Sequence, residues 1–313
     1  MTSTISLELR RAAGSMSADN PVLPPPPPPP PPTLPPPGAL PGPSKKKLYQ
    51  AIAEGRSPVE GDHEEARLLL RQRESSFTKE LQWVLWNKYV PSLIQDGPQC
   101  GLVALWMAAQ LLKPSEGVSM ERVVQTALER GYTAQGEIFS ARDMAQLAEE
   151  VCECRSECLS GGMGGANTSP ILRHLASGQP VLIPYDEDFN HEPCLRNGHK
   201  AHWAVASGIL LGVAGASLDA AKFQNDPVLP WLLLPRGTPC WPGEGVREGY
   251  ILAKQGKSLR YQLWGLEGLV QSNAQLREMD PQRAADGSLY VLPPGGVEAG
   301  LAGKVVLLHR RTD

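Results

Sequence analysis

The chain is expected to fold as an α+β domain, a helical half followed by an antiparallel sheet half, behind an unstructured N-terminal tail. Three stretches predict this. Leu102 to Leu112 is a run of strong helix formers, apolar on nearly every face, as in a helix buried inside a domain. From Pro180 onward the apolar runs become partly β-branched and are bounded by Gly and Pro, the pattern of strands joined by turns. Nine consecutive prolines, Pro24 to Pro32, exclude helix and sheet alike, because each lacks a backbone donor and has a fixed φ.

Length and composition limit the possibilities further. With 313 residues, 41% of them hydrophobic, the chain has material for one large domain, placed at 61–313 behind a disordered proline-rich region at 1–60. A net charge of −3 and the lack of a long basic stripe exclude nucleic acid as the main partner. Apolar runs such as Ile209 to Ala216 are far short of the roughly 18 residues that span a bilayer, and the N-terminus lacks an apolar signal core. No membrane association and a cytoplasmic location are therefore expected. Six cysteines at irregular spacing do not make a disulfide framework and are expected to be reduced.

Taken in order, residues 1–20 show no period. The tract from Pro21 to Pro43 reads as a preformed polyproline II rod, punctuated by Leu23 and Leu34, that suits an aromatic-lined groove or serves as a stiff spacer. Lys45 to Lys47 is a solvated charge run. Between His63 and Tyr89, Leu68, Leu69, Leu81, Val84 and Leu85 form an interrupted apolar face, predicting two helices or one broken near Ser75, with Trp83 and Trp86 as core anchors. An amphipathic helix follows from Val118 to Arg130, stopped by Gly131, and Ser140 with Asp143 caps another that runs to about Val151.

Cys152, Cys154 and Cys158 with His174 have spacing that fits no common zinc site, so they read as a reduced structural cluster, and Ser160 to Asn167 reads as a flexible glycine-rich loop. Ser169-Pro170 opens a short helix through Ile171, Leu172 and Leu175, ended by Gly178. Pro180 to Tyr185 and His202 to Val213 are strands. Ala214 to Gly249, rich in Pro and Gly, reads as a surface insertion or a lid. Gly249 to Lys254 and Leu259 to Trp264 form a hairpin around Gln255 to Ser258, and Leu289 to Leu292 and Lys304 to Leu308 are expected as closing strands.

The chemistry centres on Gln95 to Gln110. Asp96, Gly97 and Pro98 form a turn that places Cys100 in the first turn of the buried helix, where unpaired N–H groups and the helix dipole are expected to lower the thiol pKa below about 8.5. Gln95 could add an amide donor for an oxyanion. His202, at the mouth of its strand, is the candidate base.

A cysteine opening a helix, then a helix ending in Gly178-Gln179-Pro180, a strand, and His202-Trp203 opening the next strand resembles the C39-like branch of the papain-like cysteine peptidases. Within that branch, QCGLVALWMA at 99–108, HWAVASGILLG at 202–212, Lys254 to Ser258 leading to Tyr261 to Trp264, Ser272 to Leu276 and the proline tract resemble a family of animal peptidases that mature actin. The resemblance implies a papain-like fold and a Cys100–His202 acyl-enzyme mechanism without metal or cofactor. It implies as substrate the acetylated N-terminal residue, Met or Cys, of immature actin. It also implies profilin, which carries actin and binds proline runs, as a partner through Pro24 to Pro37.

In C39-like enzymes the group orienting the histidine is an Asp, usually before a Pro, at the end of the strand after the histidine strand. Here that place was sought at Leu263-Trp264-Gly265, which has none. Asn273 is taken as the third member, with Asp226, Gln262 or no residue as alternatives. Because actin N-termini are acidic behind the cleaved residue, Arg196, His199 and Lys200 are the candidate cations near His202. Two other readings are a proline-tract adaptor with an inactive papain-like domain and a papain-like enzyme acting on another amide or isopeptide.

Overall fold

A computed structural model of the protein describes residues 62–112, 117–215, 218–237 and 245–311, together with Ala53 and Trp241. The N-terminal tail, the proline tract and Lys45 to Lys47 lie outside the described residues. The rest is built on one strand. β4 (Ala201–Ala214) is long, buried along nearly its whole length and extended by β-branched and small residues that pack on both faces. On one edge it pairs antiparallel with β3 (Val181–Asp186) at its start and β1 (Leu81–Asn87) at its end. Along the other edge runs β7 (Val246–Gln255), itself paired with β8 (Gln262–Gly265).

The sheet is extended beyond β3 by β9 (Val305–Arg310) and β2 (Cys154–Leu159), and beyond β1 by β6 (Leu232–Pro235) and β5 (Phe223–Asn225). All pairings among the described residues are antiparallel except β1 with β6, which is parallel.

Period-two alternation along β4 assigns its two faces. Trp203 and Val205 enter a core with the helical half: α2 (Cys100–Leu112), α3 (Met120–Glu129) and α4 (Ala141–Cys152). Ala204 and Ala206 face the other way, against α5 (Thr168–Ala176) and Leu269 of α6 (Leu266–Ala274). The α+β architecture is as expected, with helices on both faces of the sheet rather than one. Buried on every face from Gly101 to Ala109, α2 is as apolar in place as its sequence predicts.

Ser119 and Ser140 cap α3 and α4 through Arg122 N and Asp143 N, and Gly131 takes the positive φ that ends the α3 turn. α1 (Glu64–Arg73) ends just before Ser75, where a break was expected.

Three expectations are corrected. Leu81–Asn87 is a strand, not helix. Leu81, Val84 and Leu85 have helical spacing only because a strand buried on both faces is apolar throughout. Trp83 and Leu85 enter one cluster with α1, while Val84 and Trp86 enter the other. Leu289 to Leu292 forms no strand, for it leads into Pro293-Pro294 and leaves Leu289 largely exposed. The 214–249 stretch contributes β5 and β6 to the sheet edge, and β2 and α6 had not been anticipated.

Candidate active site

Cys100 is the first residue of α2, behind a turn in which Gly97 has φ 53°. What seats it is Gly101. A Cβ there would stand 2.8 Å from Met144 Cε and 3.1 Å from Trp203 Cδ1, so glycine lets the start of α2 press against β4. Trp203 is fixed in turn by its indole N–H, which donates to Ile138 O at 2.8 Å. The next residue back along β4 is His202. Cys100, His202 and Gln95 line one cleft of about 480 Å³, with Gln135, Phe139 and Tyr290 on its walls.

His202 is buried, at 4% exposure, and its ring is oriented by a residue the sequence reading missed. Its Nε2 lies 3.0 Å from Gln255 Oε1, which also accepts the Lys257 backbone N–H at 2.6 Å. Since Lys257 N–H can only donate, the amide of Gln255 must present its oxygen here. His202 therefore carries its proton on Nε2 and keeps a lone pair on Nδ1.

The side chain that meets His202 is Gln255, whereas Asn273, Asp226 and Gln262 are engaged elsewhere. Asn273 gives its amide hydrogens to Pro184 O and Lys304 O, tying α6 to the sheet. The Asp226 carboxylate is engaged by Arg67 and by the N–H groups of Val228 and Leu229. Gln262, on β8 and so one strand farther from β4, donates to Arg260 O. Gln255 ends β7, the strand hydrogen-bonded to β4, whereas Leu263 to Gly265 lie on β8, one strand farther out. The signal was available as Gln255-Gly256 at the hairpin turn.

Gln95 sits against the same turn. Its backbone N–H donates to Gly256 O at 2.7 Å, and a Cβ on Gly256 would come within 2.8 Å of Gln95 Oε1. One amide hydrogen is committed to Gly97 O at 2.6 Å, a primary amide carries two, and Gln95 lines the cleft.

The thiol differs from expectation. Burial raises the Cys100 pKa above its ordinary value, against the helix-start effect, while the Trp203 backbone N–H, Lys257 and Arg283 act in the opposite sense more weakly. Burial also pushes His202 down to about 4, with Glu187 working against that shift. Both shifts favour the uncharged forms, thiol and neutral imidazole.

Cations do line the cleft. His199 and Lys200 are there as expected, joined by Lys257 and Arg283, whereas Arg196 is not among the lining residues. Lys200 pairs with Asp280 at 3.1 Å, Lys257 pairs with Glu187, and the Arg283 guanidinium lies 5.8 Å above the Tyr290 ring. The described cysteines form no disulfide, and among the described residues no group of three or more His, Cys, Asp or Glu is gathered as a metal site.

Comparison with known proteins gives a consistent result. Residues 90–210 match the family model described as actin maturation protease-like, C-terminal domain. Proteins named actin maturation protease are 66% identical over 272 residues in Danio rerio, covering 86% of this chain and 89% of the relative. In Xenopus tropicalis the figure is 53% over 270 residues, covering 86% and 88%, and in Homo sapiens 51% over 273 residues, covering 85% and 77%. A solved C39-like peptidase from Bacillus anthracis overlaps with a TM-score of 0.40 at 11% identity, covering 72% of this chain and 96% of that one. That likeness is too loose to carry any weight beside the elements described above.

Proposed function

The chain belongs to the actin maturation protease family, and from that premise and the cleft geometry we propose that it is a cysteine protease removing the acetylated N-terminal residue of immature actin. The observation that carries this reading is the oriented imidazole, with Gln255 holding the Nε2 proton so that Nδ1 can act as base in the cleft that also contains a thiol at a helix start.

In the proposed reaction the scissile carbonyl enters between Cys100 and His202. The Sγ–H proton passes to Nδ1, and the sulfur attacks the carbonyl carbon. The second amide hydrogen of Gln95 and the Cys100 backbone N–H stabilise the oxyanion, both being donors at the N-terminal end of α2. His202 returns the proton to the leaving amine, and water, deprotonated by the same nitrogen, releases the acetylated amino acid.

The acidic residues behind the cleaved bond have partners in Lys200 and Arg283, and Pro24 to Pro37 is proposed to hold profilin-bound actin near the cleft. The test is to incubate the purified full chain with an acetylated actin N-terminal peptide and, separately, with ubiquitin conjugates. Release of the acetylated residue from the actin peptide alone is expected. Cleavage confined to isopeptides would assign the site to another substrate.

A further inference from the structure

Glu187 takes no part in that scheme, yet it is placed at the base. The carboxylate is 4% exposed, and its Oε2 lies 3.8 Å from His202 Nδ1, the nitrogen that must receive the thiol proton. It is held from two sides. Lys257 Nζ pairs with Oε2, and His191 Nδ1 lies 2.7 Å from Oε1. The backbone is anchored as well, for Glu187 N–H donates to Lys200 O, next to Asp186, whose buried carboxylate accepts from the N–H groups of Arg196, Gly198 and Lys200.

The residue behind the ring, Gln255, is neutral. The negative charge that faces the ring is therefore on the Nδ1 side, where the positive charge appears during reaction. Around the couple stand Glu187 and His191 on the loop after β3, Tyr185 on β3, Lys257 beyond β7 and Arg283 on α7 (Pro281–Ala284).

We propose that Glu187 and Lys257 form a charge pair that sets the protonation balance of the Cys100–His202 couple, with Glu187 stabilising the imidazolium and Lys257 the thiolate. Glu187 is thus a positioning residue. The step it assists breaks the Sγ–H bond and places that proton on the Nδ1 lone pair, turning two neutral groups into a thiolate and an imidazolium with no other proton moved. Glu187 favours the imidazolium and opposes the thiolate, and Lys257 does the reverse, as the directions of their effects on both groups require. Burial alone would raise the Glu187 carboxyl, but His202, Lys257 and His191 outweigh it and keep it ionised at lower pH than an ordinary glutamate. Lys257 is half-exposed, so an acidic substrate that draws its ammonium away from Glu187 would release the carboxylate to act on His202.

The inference rests on the Cys100–His202 reading, and the experiment separates the two. Iodoacetamide alkylation of the full chain is followed against pH by mass spectrometry of the Cys100 peptide, for wild type, Glu187→Gln, Lys257→Met and His202→Ala. Loss of the carboxylate charge should move the midpoint of the thiolate limb to lower pH, and loss of the ammonium should move it to higher pH, each by about one unit for charges at this range. Glu187→Gln should also lower kcat on the actin peptide by about tenfold or more, the order of a lost charge interaction with the general base. Shifts in the same direction, or none, would reduce the pair to a structural tie and overturn the proposal. If Glu187→Gln fails to fold, Lys257→Met decides alone: an upward shift supports the proposal and an unchanged limb overturns it. A wild-type profile that His202→Ala does not alter would overturn the Cys100–His202 reading, and this proposal with it.

Discussion

Gln255 Oε1 accepts two hydrogen bonds, and replacing it with a methyl frees the His202 ring to take either tautomer. Gln255→Ala should lower kcat by roughly 10²-fold or more, since a mis-set tautomer in a comparable triad costs about 10⁴. Gln255→Glu separates geometry from charge. It keeps an acceptor for both donors, so most activity should remain, but its negative charge favours the imidazolium and raises the His202 pKa from about 4. The base is inactive once protonated, so the acid limb of kcat/KM should move to higher pH, and a pH–rate profile on the actin peptide checks it. An acid limb at or below the wild-type position would mean that residue 255 does not act on His202. The thiol shows how far local sequence can mislead. A helix start argues for a lowered pKa, but that effect is partial and local, whereas burial of Cys100 depends on Trp203 and the rest of the cleft, which only the fold assembles.

At the scale of elements, the site depends on α2 meeting β4 closely. Gly101→Ala would drive a methyl to within 2.8 Å of Met144 Cε and 3.1 Å of the Trp203 ring. The helix start must then back away, costing about 1–3 kcal/mol of stability as overpacking does. Thermal unfolding should show the lower Tm, and turnover of the actin peptide should fall by more than the unfolded fraction explains. A second prediction concerns the loop from 187 to 200. The Asp186 carboxylate accepts three backbone N–H groups and the Gln275 amide, so Asp186→Ala leaves buried donors unpaired, at about 1–3 kcal/mol each. Raised hydrogen exchange across that loop, with loss of turnover, is the expected outcome. Much of this level could be read from sequence. The caps of α3 and α4, the buried α2, the β4 strand and the hairpin at Gln255 to Ser258 all follow from local pattern. What could not be read was sheet order. β1 imitates a helix because it is buried on both faces, and Gln255 was missed because hydrogen bonding, not chain order, makes β7 the neighbour of β4.

At the scale of the molecule, among the described residues no helix is long and apolar enough to cross a membrane. In the proposed reading the charged cleft receives the acidic substrate and the proline tract recruits its carrier. Lys200→Glu with Arg283→Glu should raise KM for acidic peptides severalfold and leave neutral peptides nearly unchanged, because exposed charges act mainly on binding. Deleting residues 21–43 should spare kcat on a short acetylated peptide and slow processing of profilin-bound actin, as expected when a tether sets effective concentration. Wild-type rates on both substrates would make the tract a spacer. The central claim is that Cys100 carries the acyl group, and rapid-quench mass spectrometry during turnover of the acetylated actin peptide tests it most directly. A transient N-acetylaminoacyl adduct on the Cys100 peptide is expected for the wild type, and neither adduct nor product with Cys100→Ala. Full turnover by Cys100→Ala, or an adduct on another residue, would contradict it.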